Sequence, residues 1–494
     1  MEKITIAWIA LSFFTGFTIY LFPKISRELA LGTALLSLVY GIKIFSQPST
    51  LNIRLLDRFG VDLLVDQTSA FFVLTNALVT IAVIFYCWQT GKKAFFYMQL
   101  IILHGSVNAT FICVDFISLY VALEVISIAA FLLISYPRTD KSIWVGLRYM
   151  FVSNVAMLFY LVGAILVYKA NKSFNFEGLI NAPLEAIALI FIGLLVKGGI
   201  FISGMWLPLT HAESETPVSA MLSGVVVKAG VFPLIRCAMI LAEIEPAVRI
   251  LGVATTLLGV SYAIWERDTK RTLAFSTVSQ LGFIMAAPSA GGFYALTHGL
   301  AKSALFLTAG SLPSRNFEEL KTRRISTSFW IVLAIASLSI SGAPLLSGFS
   351  AKALSGKDFF PWQAILMNLA TVGTAITYAK FIFLPHQKSK SVAKSAEADN
   401  QKKIEPNYWW AVLPLCGGLI LGNGFNYQEA YVLSSLIKSL VILAIGYIAY
   451  FLVVKSLSVS LPKGIEKFDN LIGMMSFTLI FIFLIIWARI SALA

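Results

Sequence analysis

The chain has 494 residues, 58% hydrophobic and 13% charged, against about 45–50% and about 25% in soluble domains. With a mean hydropathy of +0.82, this composition excludes a soluble globular enzyme. The formal charge of +13 reads first as Lys and Arg in cytoplasmic loops that fix topology, not as a surface for nucleic acid.

Apolar stretches of about twenty residues, the length needed to cross a bilayer, occur near 4–22, 27–46, 68–88, 95–113, 115–136, 145–168, 185–207 and 216–242. They continue near 247–265, 271–289, 292–311, 328–350, 362–384, 407–424, 431–454 and 471–491. Sixteen is an upper count, because neighbouring pairs can be one broken helix. The expected fold is all-α and polytopic, with about 14–16 transmembrane helices. The opening MEKITIAWIALSFF has a cationic start but no small-residue cleavage site, so it reads as the first span. LNIRLLDRFGVDLLVDQ, 51–67, reads as an external hairpin or short amphipathic piece, and the polar Ala/Ser/Lys-rich stretch around 388–407 as a cytoplasmic linker.

If the spans alternate, loops after the odd ones carry Lys24, Arg27, Lys92, Lys93, Arg138, Lys141, Arg267, Lys270, Arg271, Arg315 and Lys321, and the others carry mostly carboxylates. That bias predicts an outward-facing N-terminus. The cysteines at 87, 113, 237 and 416 lie in apolar runs with no CxxC spacing or His cluster, so no metal site is expected. No nucleotide, dinucleotide, haem or flavin motif is present. The chain is expected to hold no cofactor and to leave any redox chemistry to another subunit.

Four charges fall inside apolar text: Glu124 in LYVALEVISIAAFLLI, Lys197 in IFIGLLVKGGIFI, Lys228 in MLSGVVVKAGVF and Lys352 in SGAPLLSGFSAKAL. An ionised side chain there costs several kcal/mol, so such residues face a protein interior or hydrated path and mark ion routes. Gly and Pro punctuate the helical text after Lys197 and before Lys352. Two interrupted helices in separate halves, each with one lysine, fit transporters built from internal repeats.

The blocks WLPLTHAESETPVSAMLSGVVVKAG, DTKRTLAFSTVSQLGFIMA, THGLAKSALFLTAG and SGAPLLSGFSAK resemble the signatures of the antiporter-like membrane subunits. That family is shared by respiratory complex I and its relatives and by the Mrp-type sodium/proton antiporters. The resemblance covers roughly 95–385. It implies two inverted five-helix repeats with broken helices, each a half-channel. The chain then divides into N-terminal helices at 1–94, a first repeat at 95–246, a second at 247–385, the linker at 386–406 and C-terminal helices at 407–494.

The resemblance also implies roles. Glu124 and Lys197 match the intramembrane ion pair, Lys228 the central proton relay, His298 and Lys302 the hydrated stretch of the second half, and Lys352 the charged residue at the outlet. A carboxylate offsets the cost of a buried ammonium, so opening a Glu–Lys pair would push a proton onward. Duller readings compete: Glu124 tied to Arg148, lysines snorkelling to an interface, His298 a satisfied core histidine. Lys380 reads as snorkelling, Asp115 and Arg148 as boundary charges, and the small residues around the lysines as close packing.

Lys352 departs from the chain 4 (M) type of complex I, which resembles this chain but carries glutamate there, and the tail lacks the long lateral helix of L-type chains. The expected function is a proton-translocating subunit of a multi-subunit Mrp-type monovalent cation/proton antiporter. The alternatives are a pumping subunit of a complex I type NAD(P)H or ferredoxin:quinone oxidoreductase and a structural membrane scaffold. Expected partners are other integral-membrane subunits, the lipid bilayer, protons and Na+, with no nucleic acid. The expected location is a prokaryotic plasma membrane or a thylakoid membrane.

Overall fold

The computed structural model describes residues 1–47, 49–56, 60–387, 406–457, 459, 461–462 and 464–493. The expected linker at 386–406 therefore lies almost wholly outside the described residues. Each apolar stretch named above is helical. In chain order they are α1 (Glu2–Leu21), α2 (Ser26–Ser46), α3 (Gln67–Cys87), α4 (Ala94–Thr110), α5 (Phe116–Ile134), α6 (Asp140–Asn171), α7 (Leu184–Gly198) continuing into α8 (Leu207–Glu213), and α9 (Thr216–Met221) continuing into α10 (Lys228–Ile240). Then come α11 (Glu245–Trp265), α12 (Thr269–Ala286), α13 (Gly291–Ala309), the short surface helix α14 (Phe317–Thr322), α15 (Thr327–Ser341), α16 (Ser347–Lys357) and α17 (Pro361–Ile382). Three long helices close the chain: Pro406–Leu421, Leu433–Ala449 and Phe468–Leu493.

Among the described residues, ten helices are long and apolar enough to cross a membrane, and up to twelve if each of two bent pairs is one span. The difference from 14–16 comes from short or broken members such as α4, with 17 residues, and α15, with 15. Local chemistry sets the starts. Asp66, Asp115 and Asp268 cap α3, α5 and α12 by accepting from Ser69 N, Ser118 N and Arg271 N, which satisfies amides that have no acceptor within the helix. Residues 51–67 hold the expected hairpin, Leu51–Arg54 paired antiparallel with Asp62–Val65.

Ion pairs sort into two sets that agree with alternating spans. Lys92–Glu215, Lys141–Glu213, Arg315–Asp268 and Arg271–Glu466 each join loops that follow odd-numbered spans. Arg236–Asp66, Arg249–Asp358 and Lys357–Glu429 join loops that follow even-numbered ones, or the ends of helices beside those loops. Arg148 and Asp115, read from sequence as boundary charges, both make specific contacts. Asp115 is fully buried and also accepts from Asp62 N at 2.9 Å, while Arg148 donates to the Glu466 carbonyl.

The interior is formed by α9, α10, α12 and α13, whose residues are almost all buried. The rim carries exposed Phe14, Phe17, Leu421 and Leu433 at 64–82%. An apolar exterior of this kind is stable only against lipid or other membrane subunits.

Candidate functional site

Two helix breaks position the buried lysines. α7 ends at Gly199, φ +67°, followed by Phe201 at φ +52°, and the chain bends 45° into the next helical piece. α15 ends at Gly342, φ +89°, followed by Leu345 at φ +71°. The left-handed region is open to glycine without the steric cost other residues meet, which is why the Gly-rich text marked both positions.

Lys197 sits on the last turn of α7, 6% exposed. Its ammonium donates to the Leu123 carbonyl at 2.9 Å and to the Ser127 hydroxyl, on the turn of α5 that carries Glu124. Among the described residues, no ion pair joins Glu124 and Lys197, and Glu124 Oε1 is buried without a hydrogen-bond partner. The two residues are neighbours in an open arrangement. Arg148 donates to the Glu466 carbonyl instead, and among the described residues no ion pair joins it to Glu124.

Lys228 is fully buried and follows a π-helical turn, Leu222–Val226, closed by Val227 N to Leu222 O at 3.2 Å. A π turn widens the helix and is common at functional sites. Here the ammonium folds back onto the Gly224 and Ser223 carbonyls at 2.5 and 3.3 Å. α13 approaches closely because position 299 lacks a side chain: a Cβ there would stand 3.4 Å from Lys228 Nζ and 2.3 Å from Thr75 Cγ2.

His298 and Lys302 lie one turn apart on α13, both within electrostatic reach of Lys228. Lys302 donates to the Leu273 carbonyl at 2.8 Å and stands 5.4 Å from the Tyr378 ring centroid. His298 is 2% exposed, yet neither ring nitrogen has a partner among the described residues. A satisfied core histidine would have one. A void of about 10 Å³ touches His298, Lys352, Tyr294 and Gln280, about the space one water needs. The Lys352 ammonium is also buried without a hydrogen-bond partner among the described residues and stands 4.8 Å over the Phe283 ring.

The structure brings the six residues singled out from sequence together in groups: Glu124 beside Lys197, His298 and Lys302 beside Lys228, and Lys352 across a void from His298. Sequence reasoning missed Ser127, although it lies on the face of α5 next to Glu124. It read Lys270 as a loop charge, whereas Lys270 is 7% exposed and donates to the Ser214 carbonyl at 2.9 Å. Lys380 does not snorkel. It is 8% exposed and donates to the Ala263 and Glu266 carbonyls at 2.8 and 2.9 Å, holding the C-terminal end of α11.

The profile of the family described as NADH:quinone oxidoreductase/Mrp antiporter, transmembrane, matches residues 113–377, more than half of the chain and all six of these positions. The chain belongs to that family. This antiporter-like membrane protein is 26% identical over 396 residues to the D-type subunit of the Na(+)/H(+) antiporter of Alkalihalophilus pseudofirmus, covering 71% of this chain and 80% of that one. It is also 26% identical over 366 residues to NAD(P)H-quinone oxidoreductase chain 4 2 of Trichodesmium erythraeum, covering 67% and 65%. The fold is shared with a chain of the Mrp complex from Dietzia sp. DQ12-45-1b, with a TM-score of 0.78 at 21% identity, covering 99% of this chain and 60% of that one. Both branches of the family, antiporter and quinone oxidoreductase, are therefore among its relatives.

Proposed function

We propose that this antiporter-like subunit carries protons along the track Glu124, Lys197, Lys228, Lys302 and His298, to Lys352, within a multi-subunit Mrp-type cation/proton antiporter. The observation that carries the reading is the run of buried charges with vacant hydrogen-bonding capacity at both ends, at Glu124 and at His298 and Lys352. A passive scaffold gains nothing from that cost. An imidazole accepts at one nitrogen while donating from the other, which suits it to relay a proton. A single water bridges groups too far apart for direct contact.

Lys197 opposite Glu124 acts as the switch: closing the pair holds the proton, and opening it releases the proton toward Lys228. The N-terminus faces outward in a prokaryotic plasma membrane or a thylakoid membrane, because the basic loops follow odd-numbered spans. The chain contributes no cofactor, and any redox chemistry of the assembly lies in other subunits.

The test is proton movement by the native complex in sealed vesicles. Lys197→Ala, Lys228→Ala and Glu124→Ala should each lower transport by about tenfold or more, the loss of at least ~1.4 kcal/mol of barrier lowering, with unchanged membrane insertion. Normal transport in all three removes the relay. The complex I reading is favoured instead if iron–sulfur or flavin subunits co-purify with the tagged chain in mild detergent.

A further inference from the structure

A second cavity lies below the break at Gly342, about 250 Å³ in volume, between α16, α17 and the helix Leu433–Ala449. Lys352, Lys357 and Lys438 line it together with Ser434, Ser435 and Asn368, and among the described residues its wall contains no Asp or Glu. The Lys352 stem passes over Gly342, where a Cβ would stand 3.0 Å from Lys352 Cδ. Its ammonium lies over Phe283, another wall residue, and is closed off from the cavity, so Lys352 lines the wall with its stem. Lys357 is partly compensated by Glu429 at 3.5 Å on the rim.

The helix Leu433–Ala449 starts at this cavity with no side-chain cap from Val432. Its first intrahelical acceptances run from Ser435 N and Leu436 N to the Val432 carbonyl, which leaves the amides of Leu433 and Ser434 directed outward at the positive end of the helix dipole. A cationic cluster, hydroxyls and a free helix N-terminus together recognise an oxyanion. The flanks are apolar and exposed: Ile437 at 54% on this helix, and Ile365 at 73% and Leu369 at 63% on α17. Acyl chains fit against such flanks.

We infer that this cavity binds the phosphate oxyanion of an anionic phospholipid headgroup between Lys357, Lys438 and the amino end of the Leu433–Ala449 helix. The headgroup supplies the counter-charge that Lys438, which makes no ion pair among the described residues, lacks in the protein.

The native complex containing this chain is exposed in mild detergent to photoactivatable phosphatidylglycerol, and crosslinked peptides are mapped by mass spectrometry. Labelling is expected within 342–357 and 433–442. Lys438→Gln, an exposed position whose substitution leaves packing intact, should lower it about fivefold, the share of one lysine in headgroup attraction. Unlabelled phosphatidylglycerol should displace the probe, and inorganic phosphate should not. Lys228→Ala, which stops transport if the relay is right, should keep full labelling. Labelling unchanged by Lys438→Gln overturns the site. Displacement by inorganic phosphate as well as by lipid assigns the oxyanion to free phosphate and overturns the lipid headgroup.

Discussion

At the scale of single residues, Gly342 and Ser127 show how positions without charge serve those with it. Gly342 takes φ +89° and leaves room for the Lys352 stem. Gly342→Ala should cost about 1–3 kcal/mol through backbone strain and displace the lysine, lowering both transport and the melting temperature in detergent. Gly417→Ala, where a Cβ would meet nothing within 4 Å, is the neutral control. Ser127 holds the Lys197 ammonium. Ser127→Ala should reduce transport while Ser127→Thr, which keeps the hydroxyl, restores it; equal transport in both would show that the hydroxyl is idle. The buried charges were legible in sequence because a charge in twenty apolar residues has no cheap explanation. Ser127 was not, because a serine in such a span is ordinary and acquires meaning only from the helix opposite.

At the scale of elements, the breaks were readable from Gly and Pro, but the π turn before Lys228 was not. Its sequence, LSGVV, has no breaker other than Gly224, and the extra residue per turn is stabilised by the helices around it. Lys380 and Glu266 show a similar dependence at the turn from α11 to α12. Burial opposes ionisation of Glu266, but Arg271, at 2.9 Å, and the amides of Asp268 and Arg267 outweigh it, so the carboxyl is held below the ordinary glutamate range. A lowered native pKa contributes stability that is complete above the unfolded value of about 4.3 and is lost as pH falls through the native one. Thermal melts of the wild type should therefore weaken below that value, and Glu266→Gln should flatten the dependence while lowering stability at neutral pH.

At the scale of the molecule, the last two helices tie the halves together. Leu433–Ala449 packs on α17, and Ser439 donates to the Gly342 carbonyl at 2.6 Å. Phe468–Leu493 packs on α7 beside the first break, with Phe481 stacked on Phe201 at 5.9 Å. Between them Glu466 meets Arg271 at 2.6 Å and offers its carbonyl to Arg148. Arg271 keeps Glu266 at 2.9 Å, so losing the Glu466 carboxylate removes one charged hydrogen bond, about 1.5–3 kcal/mol. Glu466→Ala should therefore speed hydrogen exchange across 464–480 and loosen the terminal helix; unchanged exchange would mean that helix packing alone holds it.

The sequence by itself determined the membrane class, the spans, the two breaks and the charged positions, because hydropathy, glycine and proline act locally and a buried charge stands out against apolar text. Tertiary structure alone decided which groups meet. It placed Lys197 on Ser127 with Glu124 left open, joined His298 to Lys352 through a water-sized void, and gathered three lysines around one cavity. Those arrangements depend on close approach between helices distant in sequence, and helix-to-helix distance is set by packing across the bundle, which no local pattern encodes.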